Sequence, residues 1–396
     1  MKIFQKIFKR SAQSPEDILT LIAGGSDTNS GMTVNTSTAQ ALPAVYCAVN
    51  TIADAVSNMP IHVYKRDSLG EKERQRSHIV ERLLNISPNG YQTAYDFKVA
   101  MMRSALLTGN AFAEIVYDNA GRVSRLIPLH PNEVNVKKLK NYRVGYQITV
   151  DGKPKPLQQE QMLHIRVNSD DGVLGKSPIA VCRESIGLEL SAQRHGADFF
   201  KNGIAPFGGL RSQNTMKTEQ YERLKESISS YSTQGGKFKP MILEGGLEWQ
   251  PISISNEDAE WLASRQFGVA EIARMFKISP IFIMDYSNST YSNFSEASKA
   301  FLQQTLKPWL TNIELAVLTK LIPEVKQDSI TIEFETKDML RTTAKERFEI
   351  YDIAIRNGLM NPDECRRAEN MQPRAGGEQY SQSWLQQTKA AEQAKT

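Results

Sequence analysis

The sequence has little of what most enzymes and membrane proteins require. Its 396 residues hold three cysteines and five histidines. Cys47, Cys182 and Cys365 stand far apart, odd in number and without metal-ligand spacing, which excludes a disulfide framework or cysteine zinc site and fits a reducing compartment. No Gly-x-Ser-x-Gly elbow, His-Glu-x-x-His or dinucleotide-type glycine pattern occurs. The long uncharged stretch before Asp54 is full of Thr, Ser, Asn and Gln, which are costly in lipid, so no membrane span is expected. The first ten residues set Lys2, Lys6, Lys9 and Arg10 around Ile3, Phe4, Ile7 and Phe8, a short basic amphipathic arm without a signal peptide's apolar core and cleavage site. The expectation is a soluble intracellular protein with no cofactor and no metal. A net charge of +4 permits contact with nucleic acid without arguing for a dedicated binding domain.

Candidate chemistry is equally thin. Gly175-Lys176-Ser177 copies the end of a phosphate-binding P-loop, but Asp170 stands where the full motif needs its first glycine, and a carboxylate repels phosphate. Ser177 reads better as a helix N-cap with Pro178 at the first helical position. His130, between Pro128 and Pro131, reads as a turn residue, and His164 as a strand residue without catalytic company. The carboxylate pairs Asp170 with Asp171 and Glu257 with Asp258 are ordinary, the second suiting a helix's first turn.

What is present is globular: 40% hydrophobic and 23% charged residues, with length for two or three units. Residues 11–38 lack periodicity and predict a mobile leading segment, with order starting near Ala41. A helical stripe from Val45 to Val56 ends before Pro60. A strand follows at Ile61 to Tyr64, then helices over 78–85 and 94–107 closed by Gly109. Short strands are expected at 111–117, 123–127, 134–136, 144–150 and 162–167, an α+β unit. From Ser177 a helix runs to Lys201. Residues 202–255 read as strand pieces around a helix from Lys217 to Tyr231, an insert between two helices. After Pro323 come a strand at 329–335, helices at 343–356 and 362–369, and a Gln- and Ala-rich tail past Gln372, expected to be mobile.

The stretch from Asn256 to Pro323 organises the rest. Its first helix shows a stripe of small, weakly apolar residues (Ala259, Ala263, Ala270, Ala273), which calls for close neighbours. It stops at Ser279-Pro280. The run from Ile278 to Phe294 holds one formal charge, Asp285, amid Tyr286, Ser287, Asn288, Ser289, Thr290, Tyr291 and Ser292. A second helix is expected to start at Asn293, with Glu296 as capping-box partner, and to reach Ile322 with a kink at Pro308. An ordinary helical hairpin in a core is the plainer alternative.

Several strings together resemble the portal proteins of long-tailed double-stranded-DNA bacteriophages. They are Ala44-Val45-Tyr46 through Ile52-Ala53 to Pro60, Gly109-Asn110-Ala111-Phe112, Pro128-Leu129-His130-Pro131, His164-Ile165-Arg166, Gly175-Lys176-Ser177-Pro178-Ile179, Phe199-Phe200-Lys201-Asn202-Gly203, Leu243 to Ile252, Glu271-Ile272-Ala273-Arg274 and Leu306-Lys307-Pro308-Trp309-Leu310. Their shared order over about residues 41–371 carries the match. Many members have a glycine near the positions of Met284 and Asp285, which this sequence lacks.

The resemblance implies an α+β portal-type subunit and a ring, usually of twelve copies, at one capsid vertex, with no catalysis of its own. It implies a mobile arm over 1–40, a wing over 41–176, stem helices over 177–201 and 256–278 with Ser177 and Pro178 at the stem start, and a small α/β clip over 202–255. A tunnel loop over 279–294 would set Asp285, Tyr286, Ser287, Asn288, Ser289, Thr290 and Tyr291 toward the channel. A long wing helix kinked at Pro308 and a strand would fill 295–340, a helical crown 341–371, and a mobile tail 372–396. Implied partners are double-stranded DNA, the terminase large subunit, a head-tail adaptor protein, the major capsid protein and scaffold, but no membrane. The implied location is the virion, with host cytoplasm during assembly. A loop free of Lys and Arg suits DNA that must slide, because each cation on a phosphate adds salt-dependent affinity. The rival readings are a nucleotide hydrolase using Lys176 and Ser177, and a monomeric nucleic-acid-binding module.

Overall fold

The computed structural model describes residues 25–67, 70–139, 142–150, 152–202, 208–212, 218–219, 221–223, 225–226, 247–251, 257–287, 291–336, 339 and 344–381. The chain divides into two units, 1–334 and 335–396. No helix among the described residues is long and apolar enough to cross a membrane.

Regular structure begins earlier than the sequence predicts. A short hairpin, β1 (Ser26–Asp27) with β2 (Thr33–Val34), precedes α1 (Thr36–Gln40). Asn35 caps α1, its Oδ1 accepting from the Ser37 and Thr38 N–H groups at 2.9 and 2.7 Å. Capping by Asn and Thr fixes this stretch, and apolar periodicity does not register such local polar bonding. Helix α2 (Pro43–Asn58) buries Val45, Ala48, Val49, Ile52, Ala53 and Val56, the stripe legible in the sequence.

Strands β3 (Ile61–Arg66) and β4 (Lys72–Arg74) and helices α3 (Ile79–Asn85) and α4 (Ala94–Thr108) follow. Side chains of α3 hold β3 in place. The Asn85 amide accepts from Ile61 N–H at 2.8 Å and donates to Ile61 C=O at 2.7 Å, as a neighbouring strand would. Glu81 accepts from Val63 N–H at 3.1 Å and takes two bonds from Arg74 at 3.0 Å each. Burial would raise the Glu81 carboxyl, but the bonds from Arg74 and Val63 outweigh it and hold the group below its usual range.

Two three-stranded antiparallel sheets come next. Strands β5 (Asn110–Tyr117) and β6 (Val123–Leu129) form one sheet with the later β10 (Met162–Arg166), in the order β10-β5-β6. Strands β7 (Val134–Lys138), β8 (Val144–Val150) and β9 (Lys153–Leu157) form the other. The sequence reading missed β9, whose Pro154 and Pro156 argue against an interior strand; it survives because it is an edge. Phe112, Val136, Tyr146, Ile148, Leu157 and Met162 build a shared core between the sheets.

Helices α5 (Pro178–Val181) and α6 (Arg183–Asn202) precede the paired strands β11 (Gly208–Ser212) and β12 (Leu247–Pro251). Described residues of the intervening expected helix (218–219, 221–223 and 225–226) are helical, and one of the expected strand pieces, Met241 to Leu243, lies outside the described residues. Helix α7 (Glu257–Met275) follows, then a long helical segment of α8 (Tyr291–Ala300), a π-helical stretch (Phe301–Leu306) and α9 (Lys307–Leu321). After α10 (Glu324–Gln327), β13 (Ile330–Phe334) pairs with β3 over a sequence gap that no local pattern reveals. Helix α9 ties two sheets together: Asn312 Nδ2 donates to Arg166 C=O at 2.8 Å, and Glu314 accepts from Phe334 N–H at 2.9 Å. In the second unit, α11 (Ala344–Arg356) and α12 (Pro362–Ala368) are joined by the Arg347 to Glu369 ion pair.

Gly109 ends α4 at φ 78°, and a Cβ on it would lie 2.4 Å from the Lys176 backbone. Gly121, at φ 73°, faces open space. Gly109→Ala should therefore lower unfolding stability by about 3 kcal/mol or more, and Gly121→Ala by about 1 kcal/mol. Denaturant midpoints of the two variants check this, and equal losses would contradict the packing described.

Candidate functional site

Three sequence strings that lie up to 66 positions apart converge on one joint: Gly109-Asn110, His164 and Gly175-Lys176-Ser177. Asn110 is fully buried. Its Oδ1 accepts from Gly175 N–H at 2.7 Å and lies 3.0 Å from His164 Nε2, and its Nδ2 donates to the C=O groups of Gly175 at 3.0 Å and Thr108 at 3.1 Å. His164 Nδ1 lies 3.1 Å from the Tyr146 hydroxyl. Burial pushes the His164 pKa down to about 3, so the ring is neutral and structural. Gly109 and Gly175 meet back to back: a Cβ on Gly175 would fall 2.0 Å from Gly109 O.

The joint sets where α5 starts. Ser177, fully buried, donates to Leu107 C=O at 2.6 Å and accepts from Ala180 N–H at 3.2 Å, with Pro178 at the first helical position. Lys176 is ion-paired with Asp170. The Gly175 N–H, the Ser177 hydroxyl and the Lys176 ammonium are thus engaged within the protein, where a P-loop would turn them on phosphate. His130 caps a 3-10 turn, its Nδ1 accepting from Asn132 N–H at 3.3 Å. Among the described residues no group of three or more metal-ligating side chains gathers.

The helix predicted from Ser177 to Lys201 is in two pieces. Cys182 leaves the helical region at φ −99°, ψ 22°. This pivot lets α5 stay seated on Leu107 while α6 aligns with α7. The two long helices run antiparallel, since Cys182 and Ile186 line one cleft with Ile272 and Met275, while Glu189 meets Arg265 at 3.0 Å. A Cβ on Gly268 would lie 1.6 Å from Glu189 Oε1, so α6 approaches closely on the face of α7 opposite the stripe of Ala259, Ala263, Ala270 and Ala273. Burial raises the Glu189 carboxyl and Arg265 only partly offsets it. On another side of α6, Thr28 sits where a Gly187 Cβ would be, and Asn29 N–H donates to Glu184 at 3.0 Å.

Helix α7 ends in a Schellman arrangement. Lys277 takes φ 54°, its N–H donating to Arg274 C=O and that of Ile278 to Ala273 C=O. A 3-10 turn (Pro280–Ile283) then buries Ile281 and Ile283. Met284 stands at φ 64°, a left-handed conformation that glycine adopts without steric cost. Asp285 accepts from the Ser287 N–H at 3.1 Å and hydroxyl at 2.7 Å, and these bonds lower its pKa. Tyr286 and Met284 are exposed. Asn288, Ser289 and Thr290 lie outside the described residues, and Tyr291 is the first residue of α8.

Residues the sequence reading did not single out fasten this loop. The Phe282 ring stacks on Phe301, centroids 4.6 Å apart at 25°. Phe282 C=O accepts from Thr51 Oγ1 at 3.2 Å, and Thr305 donates its hydroxyl to Lys277 C=O. Phe301 and Thr305 both lie in the π-helical stretch, immediately before Pro308. Proline has no N–H for the Gln304 carbonyl, so the irregularity expected at Pro308 falls on the turns preceding it. The start predicted at Asn293 lies inside α8 instead. A run of Ser, Asn and Thr offers several equivalent caps, and sequence does not rank them.

A family model described as phage portal protein matches residues 43–370. The chain is 30% identical over 341 residues to the portal protein of Enterobacteria phage HK97, covering 85% of this chain and 80% of that one. It is 30% identical to the probable portal protein of Streptomyces phage phiC31, covering 88% and 78%. Its fold is similar to a chain in the neck of a native gene transfer agent particle, solved with C12 symmetry, at TM-score 0.63 and 24% identity over 91% of this chain and 95% of that one.

The left-handed backbone at Met284 predicts a specific asymmetry. Met284→Val should cost about 1–2 kcal/mol, because β-branched residues are excluded from this region, while Met284→Gly should leave stability within about 0.5 kcal/mol. Unfolding midpoints distinguish the two, and equal effects would contradict the turn.

Proposed function

We propose, on the premise that this chain belongs to the phage portal protein family, that it assembles head to tail into a closed ring forming the DNA channel at one capsid vertex. Through that ring the genome is packaged and later ejected, and to it the tail attaches. Heterologous interfaces that close by rotation produce such rings, and the C12 symmetry of the similar neck chain supports twelve copies. The observation that carries the reading is the match over residues 43–370, which takes in every string that suggested the family.

The α+β portal-type subunit would then use residues 41–176 as its wing, α5, α6 and α7 as its stem, 202–255 as a clip for the terminase large subunit and a head-tail adaptor protein, and α11 and α12 as its crown. Capsid protein and scaffold would meet it at the vertex, in host cytoplasm during assembly and then in the virion. The loop from Asp285 to Tyr291 would face double-stranded DNA. Its support is chemical: Asp285 is the one formal charge between Ile278 and Phe294, and Tyr286 and Ser287 are exposed. A loop without cations gives phosphates no strong hold, and its anchors at Phe282 and Lys277 keep it from folding away. No observation favours the hydrolase reading, since Lys176 and Ser177 are engaged within the joint.

Introducing cations should brake the duplex. Particles assembled with the double variant Ser287→Lys, Ser289→Lys should package at least about twofold more slowly than wild type, with the deficit shrinking as salt is raised. Packaging velocity unchanged at low salt would contradict the assignment of this loop to the channel.

A further inference from the structure

One cleft in the unit 1–334 presents cations and hydrogen-bond donors but no acid. It encloses about 260 Å³ where the end of β10, the end of α7, the π-helical stretch and the start of α9 meet. Arg166 and Lys277 are the charged residues lining it, beside Gln304, Trp309 and Asn312. Three carbonyls of its wall are already engaged. Arg166 C=O accepts from Asn312 Nδ2 at 2.8 Å, Val167 C=O from Lys176 N–H at 3.0 Å, and Lys277 C=O from the Thr305 hydroxyl.

The donors are left over. Arg166 and Trp309 are half-buried, and among the described residues neither the guanidinium nor the indole N–H has a hydrogen-bond or ion-pair partner. The exposed side chains of Lys277 and Gln304 are equally unengaged among those residues. The charge of Arg166 acts on neighbours of its own sign: burial lowers the pKa of Lys320 and of His164, and Arg166 pushes each further down. A guanidinium drawn partly out of water loses hydration, and here no carboxylate offsets the loss. The site is built for an acceptor that the protomer does not supply.

We propose that this cleft receives a carboxylate side chain from a neighbouring copy of the chain, with Arg166 as the fork that grips it and Lys277, Gln304 and Trp309 as further donors. Size selects the ligand, since about 260 Å³ admits the head of one side chain and excludes a duplex with its broad row of phosphates. Ring geometry selects the source. Heterologous contacts set a different face of the next copy against each protomer, in the same register every time. The chain carries spare acids for such a contact: Glu71, Glu324 and Asp328 are exposed and make no ion pair among the described residues. A carboxylate held here ties the end of β10, the end of α7 and the π-helical stretch to the neighbour at once, so ring closure stiffens the base of the 279–294 loop. The contact rests on the ring reading and adds the residues that make one of its interfaces.

The test compares assembly with stability in the full-length protein. Arg166→Gln with Lys277→Gln should raise the concentration at which half the protein is in rings about tenfold or more, read by native mass spectrometry. Added salt should raise that threshold more in wild type than in the variant. The unfolding midpoint of the unassembled variant should stay level or rise, because an unmet charge has been removed. A fall would assign Arg166 to the protomer's own fold and overturn the proposal. Arg166→Lys supplies a second readout: a water-soluble carbodiimide joins the substituted amine to a touching carboxylate as an amide and leaves as its urea. In mixed light- and heavy-isotope protein, that cross-link should connect peptides of different copies. A cross-link that is absent or confined to one copy, or a double variant that assembles like wild type, would overturn the proposal and leave the ring reading standing. Wild-type protein that forms no ring would overturn the ring reading, and this contact with it.

Discussion

The fold depends on a joint too crowded for a side chain on Gly109 or Gly175. Gly109 and Gly175 touch backbone to backbone, and the buried Asn110 amide spends its hydrogen-bonding capacity on Gly175, Thr108 and His164. A buried amide left unsatisfied costs about 1–3 kcal/mol per group, so these partners fix one another. Because Ser177 begins its helix two residues beyond Gly175 and bonds back to Leu107, the same contact sets the origin of the paired helices. An element whose direction matters over its full length is aimed from a point where nothing can slip.

From that origin the mechanical chain continues through close packing to the loop. Gly268 lets α6 and α7 approach around the Glu189 to Arg265 pair, and the Schellman turn at Lys277 delivers the chain to Pro280. Phe282 and Lys277 C=O are then held from the far side by Phe301 and Thr305, one helical turn apart in the π-helical stretch. The loop base is thus clamped between α2, α7 and the long helix, while Tyr286 and Ser287 stay in solvent.

Much of this was legible in the sequence, and the parts that were not share a physical cause. Periodicity gave α2, α4 and most strands, and turn chemistry gave Ser177, Pro178 and the end of α4 at Gly109. The P-loop look-alike at Gly175 to Ser177 was set aside because of Asp170, and Asp170 is the partner of Lys176. Long-range pairing was invisible: β13 against β3, Thr51 on Phe282, and the meeting of Gly109, His164 and Gly175. Each string is weak alone and their shared order carries the resemblance, while the fold shows that three of them meet in one joint. The bend at Cys182 and the hairpin before α1 rest on backbone geometry and polar caps, which leave no apolar period. Near the position where the resemblance expects glycine, Met284 takes a left-handed backbone, φ 64°, which no apolar period announces.

The measurement that tests the account most directly is the mass and shape of the purified protein in solution, by native mass spectrometry with negative-stain imaging. The account predicts closed rings of about a dozen copies around a central hole, in keeping with heterologous closure. A compact monomer that turned over ATP, with turnover lost in Lys176→Ala, would contradict it.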